Sequence, residues 1–134
     1  MPLNLAEIRE IFREYDIRGV YPAQINEELA RAVAGTLAEK VFKRGKIVVG
    51  HDARQSSPSL YEEIVGTLKN YPNLEVIEAE MVTTPMLHFL IGHLAADGGI
   101  MITASHNPKE HNGIKVTDRQ MIPIGGRDLL KLLA

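Results

Sequence analysis

The feature that most narrows what this chain can fold into is an alternation of helical and strand-like segments along almost its whole length. From Asn26, the residues Leu29, Val33, Leu37 and Val41 recur four apart with Ala30, Ala34 and Ala38 beside them, which makes one apolar helical face. Asn26 suits the N-cap, Glu27 and Glu28 the positive end, Lys40, Lys43 and Arg44 the negative end, and Gly45 the stop. "KIVVG" then reads as a short buried strand. Ser57-Pro58 opens a second helix whose face is Leu60, Ile64 and Leu68. "LEVIEAEMV" is a second strand, Thr84-Pro85 opens a third helix to about Leu94, "GGIMIT" is a third strand and "GIKVT" a fourth. The opening segment from Asn4 to about Phe12 is expected to be helical, "REYDIRGVYPAQ" to be loop, and the end to be a helix from near Gly126.

Strand, helix, strand, helix, strand implies a parallel sheet with right-handed crossovers and helices on both faces. The fourth strand is expected to be antiparallel, because the connection before it is too short to hold a crossover helix. The 134 residues suit a single domain, 1–134, with a proper core. Fifteen basic against 17 acidic residues give no electrostatic case for nucleic acid or an anionic membrane surface. The absence of cysteine excludes disulfides and thiolate metal sites. Charges crowd the first 14 residues, unlike a secretory signal, and "PMLHFLIGHLAA" is too short to span a bilayer, so a cytoplasmic protein is expected.

In sheets of this kind ligands sit beyond the carboxyl ends of the strands. Two polar loops emerge there, Gly50 to Ser57 and Thr103 to Asn112. The second is longer than an ordinary hairpin turn, and it carries Ser105, His106 and Asn107 at its tip. Alternation along the fourth strand puts Ile114 and Val116 on one face and Lys115 with Thr117 on the other. A serine hydroxyl needs a neighbouring base or cation to act as a nucleophile, and His106 and Lys115 are the available ones. Loop amides with a lysine nearby favour a phosphate, so the set leans towards phosphoryl transfer. Neither a Gly-x-Ser-x-Gly elbow nor a Gly-x4-Gly-Lys-Ser/Thr loop is present.

These residues carry a resemblance. "TASHNP" followed by "NGIK", together with "FREYDIRG" (Phe12 to Gly19) and "VGHDARQSS" (Val49 to Ser57), resembles three ordered motifs of the α-D-phosphohexomutases, in the phosphomannomutase/phosphoglucomutase branch. The resemblance implies a three-layer α/β/α domain with a mixed four-stranded sheet in the order 2-1-3-4, the fourth strand antiparallel. It implies that Ser105 carries the phosphoryl group, which passes to a hexose phosphate and returns from a hexose 1,6-bisphosphate intermediate. Arg18, His106 and Lys115 match residues lining that centre, and Tyr15 and Asn107 match residues that hold substrate or phosphate. Magnesium is implied as cofactor, bound in part through the Ser105 phosphate.

Members of that family have four domains, and this chain resembles only the first. The D-G-D-x-D-R metal loop, the G-E-x-S-G sugar loop and the R-x-S-x-T-x-P phosphate site do not occur in it. The chain is therefore read as the phosphoserine domain of a longer mutase, inert alone, with the remaining domains and a hexose phosphate as partners. The alternative is a stand-alone binding module that keeps the fold. Simpler roles stand beside each candidate residue. Ser105 fits an ordinary turn serine, His106 a loop cap, Lys115 a solvated strand residue, and Arg18 a structural ion pair. Asp52 and Arg54 are read as fixing their loop, and His88 and His93 as structural. His106 and His111 lie at a spacing that matches no helical metal-ligand pattern. The terminal "DLLKLLA" is expected to lie exposed as interdomain surface and to promote self-association.

Overall fold

The structure, a computed structural model, describes residues 3–134. A one-turn helix α1 (Leu5–Ile8) runs into a 3-10 turn, Arg9–Ile11. Strand β1 (Ile17–Val20) follows, and then α2 (Glu27–Thr36), which continues through a π-helical stretch to Phe42. Next come β2 (Gly45–His51), α3 (Ser57–Leu68), β3 (Leu74–Met81), α4 (Thr84–His93) and β4 (Gly98–Ile102). Strands β5 (His111–Asp118) and β6 (Pro123–Ile124) precede the final helix α5 (Gly126–Leu133).

The caps form as the residue types dictate. The Asn26 side chain accepts the Leu29 amide at 2.9 Å, and Thr83 accepts that of Met86 at 3.2 Å, so each helix start has one fewer orphan donor. Along the strands the apolar residues split by parity. Ile47, Val49, Ile100, Ile102, Ile114 and Val116 face the larger core under α2, α3 and α5, whereas Val48 and Met101 face a smaller core with Leu87 and Ile91 of α4. Both faces of the sheet are therefore covered, which makes three layers. Each fully buried Leu or Ile contributes about 1.5–3 kcal/mol of transfer free energy to that arrangement.

The sheet corrects the expected strand count. It has six strands rather than four, in the path β1-β5-β4-β2-β3 with β6 also on β5. The four expected strands keep their expected relative order, with β2 parallel to β3 and β4, and β4 antiparallel to β5. The two added strands share the far edge of β5, β1 along His111–Ile114 and β6 along Val116–Thr117. The segment expected to be loop after Phe12 thus contains a strand, because the open edge of β5 supplies its backbone partners.

The C-terminal leucines are a second correction. Leu129 is buried, and Leu130, Leu132 and Leu133 pack partly against the same core, with the Leu132 carbonyl accepting from Lys40 Nζ of the α2 extension at 2.8 Å. An amphipathic last helix buries its apolar face on its own domain rather than presenting it outward. The large exposed apolar side chains are Tyr15, Met81, Met86, Phe89 and Ile122.

Gly113 is where β1, β4 and β5 crowd together. It lies opposite Arg18 in β1, and its carbonyl accepts the Thr103 amide at 3.0 Å. A Cβ there would drive into the Ile17 carbonyl oxygen and come within 2.8 Å of that of Thr103, both backbone atoms that cannot step aside. Gly113→Ala is expected to destabilise the chain by about 3 kcal/mol, the upper part of the overpacking range. Denaturant melts of the two proteins check this.

Candidate active site

Three pieces of chain meet at the carboxyl edge of the sheet: the turn from β2 to α3, the hairpin from β4 to β5, and the end of the segment leading into β1. The hairpin is closed by its own backbone. Asn107 donates its amide to the Ala104 carbonyl at 3.0 Å, His111 donates to Pro108 at 2.9 Å, and the Ser105 amide donates to Thr103 Oγ1 at 3.0 Å. Ser105 stands exposed at the tip with φ 54°, in the left-handed region that costs a non-glycine residue about 1–2 kcal/mol. Surroundings that over-determine the loop must hold it there.

Arg54 is the main such constraint. Its Nη1 donates to the carbonyls of Pro108 (2.6 Å) and His111 (3.1 Å), and its Nη2 to those of Ser105 (3.0 Å) and Asn107 (2.8 Å). Its Nε is held by Asp52 Oδ2 at 3.1 Å. The other Asp52 oxygen accepts from the Arg54 amide at 3.1 Å and from Ser57 Oγ at 2.5 Å. Asn112, fully buried, donates to Ser56 Oγ at 2.7 Å and Ser57 Oγ at 3.0 Å, so the strand after the hairpin is tied to the same turn. The expectation that Asp52 and Arg54 fix a loop fits these contacts, with one addition. The loop Arg54 holds is chiefly the serine hairpin rather than its own.

Burial pushes the Asp52 carboxyl up, but hydrogen bonds from Ser57, Thr103 and the Arg54 amide, with the Arg54 charge, outweigh it and hold the group below its ordinary 3.8. A carboxylate whose folded value is lowered contributes stability that is present above the unfolded value and lost as pH falls through the folded one. Melting temperatures should therefore drop as pH is lowered below ~4, and Asp52→Asn should show a shallower dependence over that range. Equal acid slopes in the two proteins would contradict the assigned cause.

Arg18 leaves β1 as a partly buried side chain. Asp16 Oδ2 takes its Nε at 3.2 Å and its Nη2 at 2.5 Å, while Nη1 donates to Asn107 Oδ1 at 2.8 Å. Arg18 is thus both ion-paired and joined to the hairpin. Lys115 sits opposite Met101 across the β4–β5 pair and makes no ion pair among the described residues. With Tyr15, Arg18 and Thr117 it lines a cleft of about 410 Å³ against the first turns of α4. Ser105 and His106 line a neighbouring hollow of about 610 Å³ with Asp52 and Thr103, and Thr84 and Met101 border both spaces. Arg18 and Asn107 are therefore in contact, but no hydrogen bond joins Ser105 Oγ to His106 or Lys115 among the described residues.

Relatives of known family share this sequence and fold. The family description "Phosphoglucomutase/phosphomannomutase, alpha/beta/alpha domain I" matches residues 9–133. The chain belongs to that family. It is 42% identical over 113 residues to the phosphohexose mutases of Xanthomonas campestris pv. campestris strain B100, covering 84% of this chain and 25% of that relative. It is 38% identical over 125 residues to a phosphomannomutase of Klebsiella pneumoniae, covering 90% of this chain and 78% of the relative. A solved structure assigned as a phosphomannomutase, from Thermus thermophilus, superposes with TM-score 0.83 at 30% identity over 92% of this chain and 30% of its own. The chain thus spans about a quarter of the length of the Xanthomonas relative.

As a member of that family, the chain carries its hairpin serine without a complete metal site among the described residues. Among the described residues no three His, Asp or Glu side chains are grouped to hold a metal ion. The carboxylate bordering the serine hollow, Asp52, has both oxygens engaged by Arg54 and Ser57. The described residues of the hollow therefore do not by themselves fit a magnesium ion. The described helices include none long and apolar enough to cross a membrane. Thr103 and Asn112 are site residues that sequence reasoning passed over. Thr103 ends a strand-like run and Asn112 precedes a glycine as a turn residue would, so neither announces its buried contacts.

Proposed function

We propose that this chain is the phosphoryl-carrying domain of a mutase that interconverts hexose 1-phosphates and hexose 6-phosphates, with Ser105 as the carrier. The observation that carries this is the exposed, left-handed Ser105 on a hairpin held from behind by one guanidinium, beside a cleft offering Lys115 and Arg18. A turn serine of no function would not call for that much fixing.

In the forward half, the phosphorus–oxygen bond at Ser105 breaks and a new one forms to a sugar hydroxyl. That hydroxyl loses its proton and Ser105 Oγ gains one. The bisphosphate then turns in the site, and its other phosphate passes back to Ser105, restoring the carrier. Lys115 balances charge on the moving group and serves the proton at Ser105 Oγ as the phosphoryl group leaves or returns. Tyr15, Arg18, His106 and Asn107 border the space and orient phosphate or sugar. Magnesium, when bound, would neutralise phosphate charge, and its carboxylates would come from outside this chain. So would the contacts that choose between mannose and glucose.

The assay is interconversion of mannose and glucose 1- and 6-phosphates by a mutase in which this domain is joined to the other three, with the 134-residue chain as control. The joined protein is expected to turn over and the chain alone to show none. Turnover by the purified chain alone would contradict the division of labour proposed here.

A further inference from the structure

Of the three amides at the hairpin tip, two are already used. The Ser105 N–H goes to Thr103 Oγ1 and the Asn107 N–H to the Ala104 carbonyl. The His106 N–H has no backbone or side-chain partner among the described residues. Its direction is set by the other end of the same peptide, since in a planar trans unit the N–H points opposite to the preceding C=O. That C=O belongs to Ser105, and it is turned onto Arg54 Nη2 at 3.0 Å. The His106 N–H therefore faces away from Arg54. A guanidinium bonded to the carbonyl also polarises the peptide and makes its N–H a stronger donor.

We infer that Arg54 is a positioning residue for phosphoryl transfer: by gripping the Ser105 carbonyl it presents the His106 amide N–H to the phosphoryl group carried on Ser105. The inference rests on the phosphoserine proposed above and adds a donor and the residue that aims it. Arg54 never touches the phosphate. It acts through one peptide plane, while Asp52 fixes its Nε and Asn112 locks the supporting turn to β5. Lysine cannot replace it, because a single ammonium on a flexible stem lacks the planar fork that spans several carbonyls at once.

The test compares amide ¹H–¹⁵N spectra of the 134-residue chain carrying serine or phosphoserine at position 105, the phosphoserine being installed during synthesis. At ~pH 8, where the phosphate is a dianion because its second ionisation lies near ~6, the His106 amide should move downfield more than any other. In Arg54→Lys, with the core resonances in place, more than half of that displacement should vanish. A His106 amide that does not respond in the wild type overturns the inference, as does an undiminished response in Arg54→Lys. Should Arg54→Lys not fold, the wild type still decides. Its Arg54 Nη protons should be individually resolved, as a pinned guanidinium requires, and averaged Nη signals would overturn the inference. Installing the phosphoserine separates the two readings: the unmodified mutase lacking phosphate on Ser105 would sink the carrier, whereas a silent His106 amide would sink only the Arg54 assignment.

Discussion

Ser105→Ala in the joined mutase is expected to reduce hexose phosphate interconversion to background and to abolish covalent phosphate incorporation. In the proposed cycle Ser105 Oγ gives up the phosphoryl group in the first half and takes one back in the second, and the neighbouring hydroxyls among the described residues are engaged elsewhere. Thr103 Oγ1 is occupied by the Ser105 amide, and Ser57 Oγ by Asp52 and Asn112. The fold should be untouched, because Ser105 is exposed and its side chain makes no hydrogen bond among the described residues. The check is turnover beside a thermal melt. Substantial residual turnover with a normal melt would mean that another group carries phosphate.

Lys115→Met is expected to lower kcat by at least ~10²-fold, the scale for losing one electrostatic or acid–base contributor. Methionine keeps the unbranched stem, so packing against the α4 side of the sheet survives while the charge is lost. Lys115 is half-buried and lines the cleft with Arg18, where a charge loses less of its strength to solvent than on an open surface. Because the role assigned to it is greatest while the phosphoryl group moves, kcat should fall more than KM rises. A variant with raised KM and unchanged kcat would make Lys115 a substrate-binding residue only.

How far the sequence disclosed this arrangement depends on how local each cause is. The face of α2, built from Leu29, Val33, Leu37 and their alanine neighbours, was legible because a helix buries a stripe that its own spacing defines. The same holds for the parity of β4 and β5, where Ile100 and Ile102 turn to one core and Met101 to the other. β1 was not legible. Its four residues include Arg18 and Gly19, and they become a strand only because β5, more than 90 residues downstream, offers a free edge. The terminal leucines misled for a related reason. Their crowding suggests an exposed patch until α2 is placed beneath them.

The site divides in the same way. Ser105, Lys115 and Arg18 stood out by residue type and motif, and the hairpin that carries the serine was recognisable from its length. What holds Ser105 was partly hidden, because Arg54 grips backbone carbonyls and a carbonyl leaves no mark in a sequence. Adjacency in sequence was also a poor guide to chemistry. His106 follows Ser105 directly, yet no hydrogen bond joins their side chains among the described residues, where Ser105 takes a left-handed φ of 54°.

The most direct measurement is phosphopeptide mapping of the joined mutase after brief exposure to a ³²P-labelled hexose 1,6-bisphosphate. The account predicts label on a single peptide spanning Thr103 to Lys109, assigned to Ser105 by fragmentation, and its release when unlabelled hexose phosphate is added. Label on any other residue, or on none while interconversion proceeds, would contradict it.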